Sequence, residues 1–225
     1  IKSSAASAVY KRQLFAAQVL SDVLCGSNHA PLCRAILEQG LAEDVVLSCD
    51  EQCMQPNLLL RVQNFREADL PAIQATIRDT LTALCENGLD REQIEASLAS
   101  FEFKLRERDY GTMPRGLIFE LEILASWLYG GDPAARLCFS EVFDDLRAAI
   151  GTGYYETLLR RLLLENPHTA EILLRPSQTC GQERQERERE ALQNMLETLD
   201  EAQRSRIVDG QERLAALQQE PDSPE

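Results

Sequence analysis

Residues 101–117, FEFKLRERDYGTMPRGL, restrict the fold more than any other stretch of the chain. They predict a long charged helix that ends at Gly111, followed by an apolar helix over 114–129 that starts with Pro114. Glycine suits the left-handed conformation at a helix end, and Gly116 would permit close packing in the next helix. Because the second helix is apolar on most sides, we expect it to lie at the centre of the fold.

The composition is that of an acidic chain with room for one substantial core and an appendage. Its 225 residues carry a formal net charge of −14, which disfavours nucleic-acid binding and docking to anionic lipid. No stretch has the roughly 18 uninterrupted apolar residues of a membrane span, and no signal peptide is visible. The seven cysteines are widely spaced and odd in number, so we expect reduced thiols in a cytoplasmic (bacterial) or organelle-matrix protein.

The hydrophobic periodicity predicts an α+β domain, with helices packed on an antiparallel sheet. A helix at 14–24 and a second one after Asn28 come first. Two β-rich runs at 44–53 and 58–65 predict a hairpin. The remaining predicted elements are long helices at 69–85 and 90–108, short helices between 140 and 164, and a strand at 168–174.

The character of the sequence changes after residue 178. Residues 179–225 carry narrow apolar stripes among Glu, Gln, Arg and Ala, which predicts a truncated helical hairpin that links domains. Residues 14–178 are assigned to the α+β domain. Residues 1–13 show no clear period, so we expect them to be disordered or not native to the protein.

Several short segments, in a fixed order, carry a family resemblance. Residues 101–117 contain E-F-x-x-R-E and G-x-x-P-R-G, and W-x-Y-x-x-D-P follows from Trp127. Residues 28–43 are similar to S-P-L-x-x-A-L-I-E-x-G-L-G-x, with Ala42 in place of the usual glycine, and 164–168 end in N-P-H. On these segments the chain resembles the presequence-protease subfamily of the insulinase-like (pitrilysin-like, inverzincin) zinc metallopeptidases.

The resemblance implies a non-catalytic internal part of a longer zinc metalloendopeptidase. Such a parent has four related α+β domains in two halves, which close around a chamber where unfolded peptides such as targeting presequences are cut. This chain would be the second domain plus most of the hairpin linker, acting as scaffold, chamber wall and hinge. It would pack on the missing catalytic domain and C-terminal half, and peptide substrates would meet it only through the parent.

The residues themselves predict no zinc site in this chain. An H-x-x-E-H motif places two histidine ligands on one helical face, with a glutamate that activates water. Here His168-Thr-Ala-Glu171 is followed by Ile172, in a segment that reads as a strand, and His29 has no second ligand at a suitable spacing. Zinc would therefore be a cofactor of the parent, and the zinc ligands and catalytic glutamate would lie upstream of this chain.

Five residues are candidates for a structural or interface role: Gly111, Pro114, Arg115, Gly116 and Trp127. Either they only shape the turn, or Arg115 reaches a face between domains. Two rival functions stay open, a catalytically inactive scaffold paralogue and an unrelated helical interaction module. An upstream H-x-x-E-H motif would favour the protease over the paralogue, and the absence of a helix-on-sheet core would favour the helical module.

Overall fold

The computed structural model describes residues 4–51, 53–108, 111–134 and 137–219, which divide into two compact units, 1–169 and 170–225. The first unit contains helices and one antiparallel sheet, so the predicted α+β class is confirmed. Its elements are α1 (Ser4–Cys25), α2 (Pro31–Leu37), β1 (Asp44–Asp50), β2 (Asn57–Gln63), α3 (Leu70–Asn87), α4 (Arg91–Glu107), α5 (Arg115–Trp127), α6 (Ser140–Ala148) and α7 (Tyr154–Leu159), which continues as a π-helical turn (Arg160–Leu164).

Local sequence signals set the boundary between α3 and α4. α3 ends at Gly88, whose φ of 89° lies in the region that glycine adopts without steric cost. α4 begins after Asp90, whose carboxylate accepts a hydrogen bond from the backbone N–H of Glu92 at 2.9 Å. Both helices lie where the periodicity predicts them, with ends within two residues of the predicted bounds.

The two strands form the predicted hairpin. β1 pairs with β2 from Asp44 opposite Gln63 to Asp50 opposite Asn57. Burial alternates along β1, where Val45 is buried and its neighbour Asp44 is exposed, so one face of the hairpin is turned to the helices. Because the described sheet has two strands, the helices supply most of the core.

α1 is the central element of this core. Ala16 and Val19 have no exposed surface. The ring of Phe15 lies 5.4 Å from that of Phe101 on α4 and 5.5 Å from that of Phe143 on α6, measured between centroids. These aromatic contacts join three helices that are far apart in sequence.

α1 is longer than the periodicity predicts. It begins at Ser4, so residues 4–13 are helical, whereas we expected them to be irregular; residues 1–3 lie outside the described residues. The physical reason is composition: this segment is rich in alanine, which has the highest intrinsic helix propensity and needs no apolar stripe to be helical.

The prediction that the second helix of the turn lies at the centre of the fold is wrong. In α5, among the described residues, only Ala125 is buried. A helix that is apolar on most sides needs cover on most sides, and the described part of the chain covers one of them. The sequence pattern predicts that the apolar surface of α5 is buried, but it does not identify the polypeptide that buries it.

The strand predicted at 168–174 is also wrong, because these residues have no regular structure. Ile172 is 80% exposed and Leu174 is 87% exposed. A strand needs a neighbour to satisfy its backbone N–H and C=O groups, and no described strand pairs with this segment.

The second unit holds the two helices expected after residue 178, α8 (Cys180–Thr198) and α9 (Glu201–Gln219). Asp200 and Gln203 cap α9 reciprocally: the Asp200 carboxylate accepts from the Gln203 backbone N–H at 2.7 Å, and the Gln203 side chain accepts from the Asp200 N–H at 2.9 Å. No described residue of α8 or α9 is buried. The apolar stripes of both helices are therefore exposed.

Candidate functional site

Among its described residues, the turn between α4 and α5 contains two left-handed residues, Arg108 and Gly111, and a proline. Arg108 follows the last residue of α4 with a φ of 52°, so the helix ends within one residue of the predicted bound at 108 and before Gly111. Gly111 is left-handed as predicted, with a φ of 64°. Pro114 directly precedes α5, and its carbonyl accepts from the backbone N–H of Ile118 at 3.3 Å.

Gly116 lies in the first turn of α5 with open space beside it. A Cβ atom at this position would meet no described atom within 4 Å outside its own helix backbone. The close packing we expected at Gly116 is therefore not made by the described part of this chain. Arg115, next to it, is exposed.

One side of α5 is an exposed apolar surface. It consists of Met113, Leu117, Leu121, Trp127 and Leu128, which we call the α5 face. Trp127 is 62% exposed and Leu128 is 70% exposed. Leu117, Leu121 and Leu128 are four and seven residues apart, so they share one side of the helix, while Met113 lies just before its first turn and Trp127 is its last residue, next to Leu128.

The opposite side of α5 is attached to the end of α4. The guanidinium carbon of Arg108 lies 4.5 Å from the centroid of the Phe119 ring, within the range of a cation–π interaction. Phe119 is half-buried, in contrast to the α5 face. This contact fixes which side of α5 is turned outward.

The far end of α5 is held by a tight glycine turn. Gly130 has a φ of 73°, and the backbone N–H of Gly131 donates to the carbonyl of Ser126 at 3.0 Å. The Ser126 hydroxyl donates to the carbonyl of Asp132 at 3.0 Å. A side chain at Gly131 would come within 2.4 Å of the Ser126 hydroxyl, so only glycine fits. The turn thereby holds Trp127 at a defined position.

A buried carboxylate lies one helical turn before the end of α4. Glu102 is 6% exposed and receives hydrogen bonds from the guanidinium groups of Arg106 on α4 and Arg147 on α6. Arg147 also pairs with Asp144 at 3.3 Å. The E-F-x-x-R-E segment therefore contains a structural ion pair between its first glutamate and its arginine. The sequence interpretation missed this pair, although its i,i+4 spacing is a signal for one.

The described residues offer no metal site. They contain no group of three or more His, Cys, Asp or Glu side chains placed to hold an ion. His29 and His168 are both exposed, and the backbone N–H of His168 donates to the Asn166 side chain at 2.9 Å. Among the described helices, none has the length and apolar character needed to cross a membrane.

Comparison with protein families gives a match over the first part of the chain. Residues 6–101 match the family model described as the Peptidase M16 inactive domain. A solved structure, a candidate zinc protease of Bordetella pertussis Tohama I, has a similar fold. Its TM-score is 0.53 at 16% identity, over 69% of this chain and 82% of that one.

Curated relatives match nearly the whole chain. Protein HypA of Clostridium perfringens (strain 13 / Type A) is 32% identical over 207 residues, which is 92% of this chain and 21% of that protein. Presequence protease 1, chloroplastic/mitochondrial, of Arabidopsis thaliana is 29% identical over 211 residues, again 92% of this chain and 20% of that protein. The chain thus spans about one fifth of the length of these relatives.

Proposed function

Because residues 6–101 match the Peptidase M16 inactive domain and curated relatives match 92% of this chain, we propose that it belongs to this family and is the non-catalytic scaffold of a longer zinc metalloendopeptidase that degrades unfolded peptides. The observation that carries the proposal is the match to a presequence protease over 92% of this chain and only 20% of that protein. A segment of that size is one part of a larger enzyme. The match over residues 6–101 and the core formed by helices and the β1–β2 sheet both argue against the unrelated helical interaction module.

Within the parent, residues 14–178 would be the second α+β domain of the N-terminal half and 179–225 the linker to the other half. The first part would line the peptide chamber and the second would act as a hinge. Zinc and the catalytic glutamate would belong to the domain that precedes this chain. The parent would work in a bacterial cytoplasm or an organelle matrix, without nucleic acid or membrane as a partner.

The α5 face is where we propose that the scaffold packs on the rest of the parent. Two observations support this role: large apolar side chains are exposed in a row, and the space beside Gly116 is open. Contiguous exposed apolar surface of this kind is characteristic of interaction sites. Arg115, at the start of the same helix, would contribute a charge at the edge of that contact.

The peptidase assignment is tested on the purified parent protein. We expect it to cleave an unfolded presequence-like peptide, to lose that activity to a zinc chelator, and to regain it when zinc is restored. The 225-residue chain alone should leave the same peptide intact. A parent that contains no H-x-x-E-H motif and cleaves nothing would favour the inactive scaffold paralogue instead.

The packing role is tested separately, by substituting Trp127→Ser together with Leu128→Ser in the parent. We expect activity to fall at least about tenfold, since buried apolar anchors contribute about 2 kcal/mol or more each at an interface. The isolated chain should keep its thermal midpoint, because both side chains are exposed there. The matched control is Met54→Ser, an equally exposed apolar residue in the β1–β2 turn. A parent unaffected by the double substitution would rule the α5 face out as an interface.

A further inference from the structure

Two thiols meet where the end of α1, the start of α2 and β1 come together. Cys25 is the last residue of α1, and Cys33 lies in the first turn of α2. The segment between them is short and folded back on itself, with the backbone N–H of Ala30 donating to the carbonyl of Ser27 at 3.0 Å. Both helices pack against β1, so the fold brings the two cysteines to the same strand.

Both cysteines lie beside the same edge of β1. The Cys33 thiol donates to the carbonyl of Val45 at 3.2 Å, and Cys25 lines a surface cleft together with Leu47, two residues further along the strand. Residues two apart on a strand direct their backbone polar groups to the same edge, so the two sulfurs are neighbours. In agreement with this proximity, the neighbouring Cys33 raises the pKa of the Cys25 thiol.

The two thiols differ in access to solvent. Cys33 is 1% exposed, whereas Cys25 is half-buried and lines a surface cleft of about 240 Å³ together with Asp22 and Cys49. The side-chain oxygen of Gln18, which lines the same cleft, is buried without a hydrogen-bond partner among the described atoms. A small polar molecule that enters this cleft reaches the sulfur of Cys25 before that of Cys33.

We propose that Cys25 and Cys33 are an oxidisable dithiol, which a hydroperoxide converts into a disulfide that locks the corner between α1 and α2. The Cys25 sulfur attacks one peroxide oxygen, the O–O bond breaks, and a sulfenic acid forms with release of one water (or alcohol) molecule. The Cys33 sulfur then attacks the sulfenic sulfur, which releases a second water as the S–S bond forms. The two sulfurs lose two electrons, and the peroxide gains them.

The surroundings of the pair set the speed of this reaction. Burial raises the pKa of the Cys25 thiol well above its usual range, and the adjacent Cys33 adds to the rise. Burial likewise raises the pKa of Cys33. Thiolate is the reacting form, so oxidation is slow at neutral pH and accelerates as the pH rises. The exposed thiols Cys138 and Cys180 should react with peroxide sooner.

Peptide mapping can identify the proposed disulfide. Trypsin cuts after Arg12 and Arg34 and leaves Cys25 and Cys33 on one peptide, 13–34. Cys49 and Cys53 fall on the next one, 35–61. The 225-residue chain, with Cys138→Ser and Cys180→Ser to prevent cross-linking between molecules, is treated with hydrogen peroxide at pH 8. It is then alkylated, digested and weighed by mass spectrometry. We expect peptide 13–34 to lack two hydrogen atoms and to resist alkylation until a reductant is added.

The Cys33→Ser variant should stop at the sulfenic acid on Cys25, which dimedone traps. Serine keeps the hydrogen bond to Val45, so this variant is expected to fold, and circular dichroism checks that it does. A peptide 13–34 that is fully alkylated after peroxide treatment overturns the proposal. So does a cross-link between 13–34 and 35–61, which would identify Cys49 as the partner.

The effect of the disulfide on stability is measured separately, through the thermal midpoint. Closing the nine-residue segment restricts the unfolded chain, so the oxidised protein should melt about 5 °C higher than the reduced one. An oxidised chain with the same or a lower midpoint would show that the bond forms without locking the corner.

Discussion

At the scale of single residues, Glu102 joins α4 to α6 through a buried carboxylate. It is the charged residue that is buried in the described core, and its carboxylate is shared by Arg106 and Arg147. Both arginines are about half exposed, so water remains available to their outer nitrogens. The cost of removing the carboxylate should therefore be lower than for a fully buried ion pair.

Substitution of Glu102→Gln should lower the free energy of unfolding of the isolated chain by about 1–2 kcal/mol. The charge is lost while the shape is kept, so the two guanidinium groups face a weaker acceptor. Urea unfolding measures the change, and Glu107→Gln on the exposed side of the same helix is the control. Equal losses for the two variants would mean that the buried pair contributes nothing beyond an ordinary surface charge.

Tyr155 gives the chain a dependence on alkaline pH. Burial raises the pKa of this tyrosine above its ordinary value of 10.0, and the nearby Tyr154 adds to the rise. Above pH 10 the unfolded chain releases the proton while the folded chain retains it. The unfolded state then binds fewer protons, so the free energy of unfolding falls as the pH rises further.

Between about pH 10 and 11, the free energy of unfolding of the Tyr155→Phe variant should therefore fall less steeply than that of the unsubstituted 225-residue chain. At pH 7 it should be about 1 kcal/mol less stable, because the hydrogen bond from the hydroxyl to the Leu146 carbonyl is gone. Thermal melts over a pH series measure both effects. Tyr129→Phe, an exposed tyrosine, should leave the pH profile unchanged, and identical profiles for all three proteins would contradict this account.

At the scale of elements, α5 differs most from its sequence-based prediction. Gly111 belongs to the turn that follows α4, and the start of α5 was predicted correctly, since Pro114 directly precedes it. Its position was not, because an apolar helix predicts burial without naming the surface that buries it. The prediction of a strand at 168–174 is wrong for the same reason. β propensity is a local property, but strand pairing requires a partner strand that the described residues do not provide.

Other elements were predicted well because their signals are local. Gly88 and Asp90 mark the α3–α4 boundary through backbone conformation and a side-chain cap, both of which depend on a few neighbouring residues. The ion pair of Glu102 with Arg147 joins positions 45 residues apart, and no periodicity reveals such a contact. The candidate site was thus predictable as a turn, while the direction in which it faces was not.

Gly116→Ala separates helix propensity from interface packing. In the isolated chain we expect the variant to be about 0.5–1 kcal/mol more stable, since alanine favours the helix and no described atom is displaced. In the parent, the added methyl group should reduce peptidase activity if another domain approaches α5 closely. Gly210→Ala in α9, which also has open space around it, is the control for propensity alone. Unchanged activity of the Gly116→Ala parent would argue against a close approach at this position.

At the scale of the whole molecule, the two units differ in how they could contribute to stability. The buried hydrophobic residues that the structure describes all lie before residue 170, and neither α8 nor α9 contributes one. Burial of apolar surface is the main favourable term in folding. The first unit should therefore carry the cooperative unfolding transition.

A chain cut after Thr169 should keep the thermal midpoint of the 225-residue chain to within about 2 °C, which corresponds to less than about 1 kcal/mol. Differential scanning calorimetry measures the midpoint, and circular dichroism should show a loss of helical signal that corresponds to α8 and α9. A midpoint several degrees lower in the shortened chain would show that residues 170–225 stabilise the first unit.

The outward position of Trp127 has an optical consequence. It is the single tryptophan of the sequence, so the indole emission of the chain originates entirely from the α5 face and is insensitive to the interior. In water that emission should be red-shifted, and it should move to shorter wavelength when apolar polypeptide covers the helix. Titrating the chain with the other domains of the proposed parent would then report docking without any added label, and an unmoved spectrum at saturation would place the contact elsewhere.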